Sequence, residues 1–501
     1  MMWPLVAGLL ACVPAQTPPS SPPSKADPDA PVLASPPDAP APPPEDTGTP
    51  GQPPSPGLSR EPMTGPAFDC EVSDTFGGGE LGIFSRVDVD LNAAPNAVCN
   101  DGSGAVYYIR PGSDRWVVYL EGGSHCNSFG TCRDRWCDGI DAYDRRDMSN
   151  VGAPATLPLA GLLSSSAANT FSTWTAVYVH YCSSDVWSGS RGAPVLLRDT
   201  SDTGQASDYT IRWEGRSILD AVVAELLATN RRPELSALPP AASITTFLLA
   251  GGSAGGMGAT QAVDDVAVSV RAASPAADVR LATFGAVSPG VHGAFDPWRV
   301  ATFAPIEEHL RRLMGEGALS EETYGPRHYA ARLDASCVAN NPYNSWICAD
   351  IGHVLSHSLS TPFFIVQDQI DSVWVPSVDG ILDGGDGPYE GQVTTERFAL
   401  LVRTFLDALD DIRLPKNPSV YPVDGPAPGG FSPRCAAHDG YGRNNAKFRE
   451  WRASLLDVGD TGATATVETT LSHWIDGTPG QRAWARPDRV PDCGDTADTG
   501  F

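Results

Sequence analysis

The residues most able to do chemistry lie in Gly251-Gly252-Ser253-Ala254-Gly255, which follows the apolar run Phe247-Leu248-Leu249-Ala250 and precedes a helical pattern opening at Gln261. A serine in G-x-S-x-G between a strand and a helix sits on a sharp turn that lifts its hydroxyl out of the sheet edge. Flanking glycines let two backbone segments approach closely, and the following helix offers free N–H groups to a developing oxyanion. Ser253 is the candidate nucleophile of a serine hydrolase.

A serine nucleophile needs a base, and the base needs a group to orient it. In α/β-hydrolase order the acid and the histidine both follow the serine. The run Phe363-Phe364-Ile365-Val366-Gln367 reads as a buried strand that ends just before Asp368 and Asp371, and both aspartates qualify by position. A base that follows them leaves His438 and His473, both in loop-like sequence. His438 is favoured, because Cys435 three residues earlier could pin its loop through a disulfide. Leu120-Glu121-Gly122-Gly123-Ser124-His125-Cys126 has the form of a strand ending in a glycine pair, which suits an oxyanion arm whose N–H joins that of Ala254.

These groups must be carried by a sheet. Short apolar runs at 116–120, 176–180, 244–249, 279–284 and 363–367 suit strands buried on both faces. Between them, 217–228 places Ile218, Ala221, Val222 and Leu226 on one helical face, and 397–409 does so with Phe398, Leu401, Val402, Phe405 and Leu409. Alternating strands and helices predict one α/β-hydrolase-like domain over 67–495, with a mostly parallel central sheet flanked by helices.

Several stretches together resemble the pectin acetylesterase family, which includes the Notum-type palmitoleoyl-protein carboxylesterases. They are Cys99-Asn100-Asp101-Gly102-Ser103, Tyr119-Leu120-Glu121-Gly122-Gly123, Tyr181-Cys182-Ser183-Ser184-Asp185-Val186-Trp187-Ser188-Gly189, 251–256, Asp371-Ser372 and Cys435-Ala436-Ala437-His438. The resemblance implies Ser253 as nucleophile, Asp371 as acid, His438 as base, and the N–H groups of Gly123, Ser124 and Ala254 as oxyanion donors. It also implies no cofactor and no metal. The family usually carries a tryptophan beside the acyl pocket where this chain has Ser124 or His125, and an acidic residue near Ser288-Pro289-Gly290 that is missing here. Trp187 and His125 are the expected substrate-contacting side chains. For the disulfides, the resemblance favours Cys99–Cys182 and Cys126–Cys132, and proximity favours Cys337–Cys348. Cys435–Cys493 and Cys70–Cys137 then remain.

The rest of the chain sets the compartment. Of the 11 cysteines, Cys12 ends the short apolar start 5–11, in the manner of a bacterial lipoprotein signal whose cysteine is lipidated, although no Lys or Arg precedes it. The other cysteines could form disulfides in an oxidising compartment. The apolar start is far shorter than the ~20 residues of a membrane span, so any membrane attachment is expected through lipid on Cys12 alone. Residues 13–66 hold 19 of the 46 prolines and few large apolar side chains, which predicts an extended linker. The tail 496–501 is expected to be flexible. A net charge of -26 and the lack of a basic stripe argue against nucleic acid as a partner. The expected activity is that of a secreted or surface-anchored serine carboxylesterase, with an O-acetyl group on an extracellular polysaccharide as the first substrate. A long-chain acyl ester on lipid or protein comes second. An inactive surface carbohydrate-binding lipoprotein is the non-enzymatic alternative.

Overall fold

The computed structural model describes residues 83–137, 145–167, 169–197, 209–287, 329–342, 345–369, 371, 373, 402, 406, 428–433, 438, 456–458, 463–478 and 482–484. Cys12, the linker 13–66, Cys70, Ser288-Pro289-Gly290, Cys435, Cys493 and the tail lie outside them, as does 397–409 apart from the buried Val402 and Leu406.

In chain order the strands are β1 (Ile83–Asp88), β2 (Val106–Arg110), β3 (Arg115–Leu120), β4 (Thr156–Pro158), β5 (Thr175–Val179), β6 (Val195–Leu197), β7 (Tyr209–Ile211), β8 (Thr246–Gly252), β9 (Asp278–Phe284), β10 (Phe363–Val366), β11 (Gly429–Ser432), β12 (Leu456–Val458), β13 (Ala463–Ala465) and β14 (Arg482–Trp484). Among the described residues, ten of these form one sheet in the order β14-β11-β10-β9-β8-β3-β5-β2-β1-β4. Every pairing from β14 to β5 is parallel. The strands β2, β1 and β4 then extend the sheet antiparallel, an extension that the sequence reading did not anticipate. β6–β7 and β12–β13 are separate two-stranded pairs.

The apolar runs form strands because each central strand is buried on both sides. Trp116, Val118, Leu120, Phe247, Leu249, Val279, Leu281 and Ile365 point to one core, while Val117, Tyr119, Leu248, Ala250, Ala282, Phe284, Phe364 and Val366 point to the other. The first core is covered by α2 (Gly215–Leu227) and α3 (Ala254–Ala273); a short α1 (Phe129–Trp136) precedes them in the chain. In α3 the stripe Ala259, Ala262, Val263, Val266, Ala267 and Val270 faces inward at helical spacing. Each buried Val there contributes about 1.5–3 kcal/mol by transfer from water. α4 (Ala335–Asn340) and α5 (Ile351–His357) add Cys337, Val354 and Leu355 to the same side. The second core is closed by α6 (Val467–Asp476), through Val467, Leu471, Trp474 and Ile475.

From β3 the chain steps outward to β5 on one side and returns to β8 on the other. Strand order therefore reverses between β3 and β8, and the crevice beyond their carboxyl ends is where an open α/β sheet places its site. The fold is a disulfide-stabilised, α/β-hydrolase-like one. Cys99–Cys182, Cys126–Cys132 and Cys337–Cys348 are bonded. Cys137 is disulfide-bonded as well.

Candidate active site

Ser253 stands at that reversal. β8 ends at Gly252, α3 begins at Ala254, and Ser253 between them takes φ 49° and ψ -123°. A left-handed, non-glycine conformation of this kind costs on the order of 1–3 kcal/mol and persists only where neighbours over-determine it. Here the Ser253 N–H donates to the Phe284 carbonyl at 2.7 Å, tying the turn to the end of β9. The glycines are steric necessities. A Cβ on Gly251 would overlap the Gly255 carbonyl, and one on Gly255 would overlap the Leu120 carbonyl at the end of β3. Three chain segments thus meet at the half-buried serine.

The Ser253 hydroxyl lies 2.9 Å from His438 Nε2. On the other side of the ring, His438 Nδ1 is 2.8 Å from both carboxylate oxygens of Asp371. Asp371 is fully buried and His438 nearly so. Asp371 can only accept in its ionised form, so the tautomer that these partners assign carries its proton on Nδ1 and turns the Nε2 lone pair toward the serine. The carboxylate that meets His438 is that of Asp371, and Asp368 lies buried earlier on the same loop. His473, the other candidate base, is exposed on α6 rather than in a loop. The cap at Thr466, the left-handed Gly477 and the apolar spacing of Val467, Leu471 and Trp474 were the helix signals in that stretch.

Gln367 completes the geometry and was missed in sequence. Its Nε2 donates to Asp371 Oδ2 at 2.8 Å, while its Oε1 accepts from the Val287 N–H at 3.0 Å. The Val373 N–H donates to Asp371 Oδ1 at 2.9 Å. A polar residue closing an otherwise apolar buried strand was the available signal.

The arm beyond β3 turns through Gly123 (φ 145°) and Ser124 (φ 56°), and Ser124 is exposed. It is laced to the loop after β5. The Tyr181 hydroxyl donates to the Ser124 carbonyl at 2.9 Å, Cys126 N–H donates to the Ser184 carbonyl at 3.0 Å, and His125 bridges Asp185. That loop holds three further left-handed non-glycine residues, Ser184, Val186 and Trp187. Asp185 fixes them by accepting from Ser183 Oγ, Trp187 N–H and Gly215 N–H at 2.7, 3.1 and 2.7 Å. Trp187, expected to contact substrate, is buried. Its ring is 1% exposed, stacks on Tyr181 with centroids 5.2 Å apart, and donates its indole N–H to the Glu121 carbonyl at 2.8 Å. His125 is half-buried; burial, then the Arg135 charge, push its imidazole down to about 4, so it is neutral at pH 7. Among the described residues no group of three or more His, Cys, Asp or Glu is arranged to hold a metal ion.

A strained serine between a parallel strand and a helix, with a buried His–Asp pair behind it, defines an α/β-hydrolase-like site. The pectinacetylesterase family model matches residues 85–283. Palmitoleoyl-protein carboxylesterase NOTUM of Drosophila melanogaster is 31% identical over 296 residues, 57% of this chain and 38% of that protein. Inactive palmitoleoyl-protein carboxylesterase notum1b of Danio rerio is 46% identical over 99 residues, 19% of this chain and 68% of that protein. The chain belongs to the pectin acetylesterase/Notum-type family. It spans well under two thirds of the fly relative's length. Among solved structures, the Wnt deacylase Notum from Drosophila superimposes with a TM-score of 0.56 at 24% identity, over 81% of this chain and 97% of that one. That likeness is one of fold.

Proposed function

We propose that the protein is a serine carboxylesterase working through an acyl-enzyme. The observation that carries this reading is the hydrogen-bonded chain Asp371–His438–Ser253 at the strained turn. His438 takes the Ser253 proton as Oγ attacks the ester carbonyl, and Asp371 stabilises the imidazolium that forms. The N–H groups of Gly123, Ser124 and Ala254 receive the oxyanion. Collapse expels the alcohol, which takes the proton back from His438. Water, activated by the same histidine, then frees the acid. This intact chain of contacts favours catalysis over the inactive carbohydrate-binding alternative.

For substrate, an O-acetyl group on an extracellular polysaccharide is the first reading. It is supported by the family model's description. The curated relatives' names favour a second, a long acyl chain on a protein. The disulfides favour an extracytoplasmic setting. Within this reading Cys12 carries lipid at the end of the signal 1–12, the linker 13–66 holds the enzyme off the membrane, and the catalytic domain is 67–495.

Hydrolysis of p-nitrophenyl esters from acetate to palmitate tests the substrate reading. We expect kcat/KM to fall as the chain lengthens. A maximum at palmitate would replace the acetyl reading with the long-chain one, and no turnover at any length would sink both.

A further inference from the structure

Among the described residues, the ring of His180, the first residue beyond β5, faces only acceptors. Its Nδ1 lies 2.8 Å from Glu121 Oε2. Its Nε2 lies 2.9 Å from the Arg146 carbonyl and 3.3 Å from the Ser149 carbonyl. A neutral imidazole has one N–H and one lone pair, so it would have to aim the lone pair at one of these oxygens. An imidazolium satisfies both sides. The pair is 12% and 10% exposed, so water does little to screen it.

Glu121 stands where β3 gives way to Gly122-Gly123. Its carboxylate also accepts from the Tyr181 N–H at 2.8 Å, and its own N–H donates to the Val179 carbonyl. Its carbonyl receives the Trp187 indole, and the Cβ-free face of Gly255 packs beside the same carbonyl. One side chain therefore clamps the ends of β3 and β5 together directly before the arm.

We infer that His180 is a resident imidazolium, and that its ion pair with Glu121 is a positioning device that sets the arm bearing Gly123 and Ser124. The inference rests on the oxyanion role proposed above for those two residues.

The surrounding charges agree. Burial alone pushes the His180 imidazole down, but the Glu121 charge and hydrogen bond, with Asp147 of the neighbouring turn, outweigh it, and the net shift is up. Tyr108 of β2 faces Glu121; burial holds its phenol far above the ordinary range, so it stays neutral. Arg86 and Asp88 of β1 act on Tyr108 from beyond it. A histidine whose folded pKa is raised contributes stability that is complete below about pH 6.5 and is lost as pH rises through the folded value. Turnover should therefore fall on the alkaline side while the triad itself is in its active form.

The test uses the full chain with ¹⁵N-labelled histidine and p-nitrophenyl acetate. At pH 6.5 the imidazole ring whose signals vanish in His180→Gln should show two fully protonated nitrogens. Its deprotonation on raising the pH should coincide with the alkaline loss of kcat. Glu121→Gln should lower kcat roughly ten-fold to a hundred-fold, the scale expected when an oxyanion donor is misplaced, with KM within about two-fold. It should also flatten the alkaline limb. His180 with a single protonated nitrogen at pH 6.5 overturns the charged pair, a result that needs no variant to fold and no substrate to turn over. A charged His180 beside an unchanged kcat in a folded Glu121→Gln overturns the positioning role. Wild-type protein inert to every ester would remove the esterase reading and the positioning role, leaving the charged pair to the nitrogen signals.

Discussion

The turn at Ser253 and the loop at 181–189 face the same difficulty and meet it by opposite means. Both hold non-glycine residues in left-handed conformations beside the candidate site. At the serine, the solution is absence. Gly251, Gly255 and Gly256 lack side chains where a Cβ would collide with backbone or with Ala286, and one backbone hydrogen bond to Phe284 completes the turn. At the loop, the solution is added polar chemistry. Asp185 gathers three donors, Tyr181 receives the Val186 N–H, Asn100 donates to the Ser183 carbonyl, and Cys182 is tied to Cys99. The two regions touch at Gly258, where a Cβ would overlap that of Trp187. A steric solution fails when atoms are added and a polar solution fails when they are removed, which gives each region its own test.

The largest effect is expected at the turn. In Gly255→Ala the new methyl meets the Leu120 carbonyl, a backbone atom that cannot swing away. We expect hydrolysis to drop by at least about 10²-fold, since displacements near 1 Å at a reacting group cost that much. Steady-state assays on the folded variant read this directly, and near wild-type activity would show that the turn tolerates added bulk.

Asp185→Ala should act mainly on stability. It strands donors from Ser183, Trp187 and Gly215 in a buried site, at roughly 1–3 kcal/mol for each group left unsatisfied. Urea unfolding should show the loss, and Asp185→Asn, which keeps an acceptor, should recover part of it. A change below about 1 kcal/mol in Asp185→Ala would mean that the loop is held by its disulfide instead.

Two disulfides divide along the same line with smaller effects. Cys99–Cys182 spans 83 residues and Cys126–Cys132 spans 6. Chain-entropy arguments give about 4.5 kcal/mol for the first closure and about 2 kcal/mol for the second. Removing the first pair with serines should lower Tm more. Removing the second should lower turnover more, because it frees the segment after Ser124. The reverse pattern in melting and kinetic measurements would break the assignment of the short loop to the arm.

What sequence reasoning could see follows from this contrast. Glycines at fixed spacing after an apolar run advertise a steric turn, so the region around Ser253 is legible residue by residue. The central strands are legible for a related reason, since burial on both faces leaves unbroken apolar runs. Polar solutions are distributed: Asn100, Glu121, His180 and Gln367 come from four separate stretches and acquire meaning only when the sheet brings them together. Trp187 shows the converse, a placement that its motif alone does not reveal. An aromatic in a distinctive motif invites a binding role, yet the left-handed backbone at 186–187 and the bare face of Gly258 turn it into the core. The short antiparallel strands β1 and β4 lack long apolar runs, so nothing in periodicity marked them.

The central claim is that Ser253 is a nucleophile activated by His438, and a fluorophosphonate probe tests it most directly. Intact-mass analysis and peptide mapping of treated wild-type protein should find a single adduct, on Ser253. It should be absent in Ser253→Ala, slowed by at least about 10³-fold in His438→Ala because the two act as a unit, and undiminished in His473→Ala. No adduct on the folded wild-type protein, or an adduct that survives Ser253→Ala, would contradict the account.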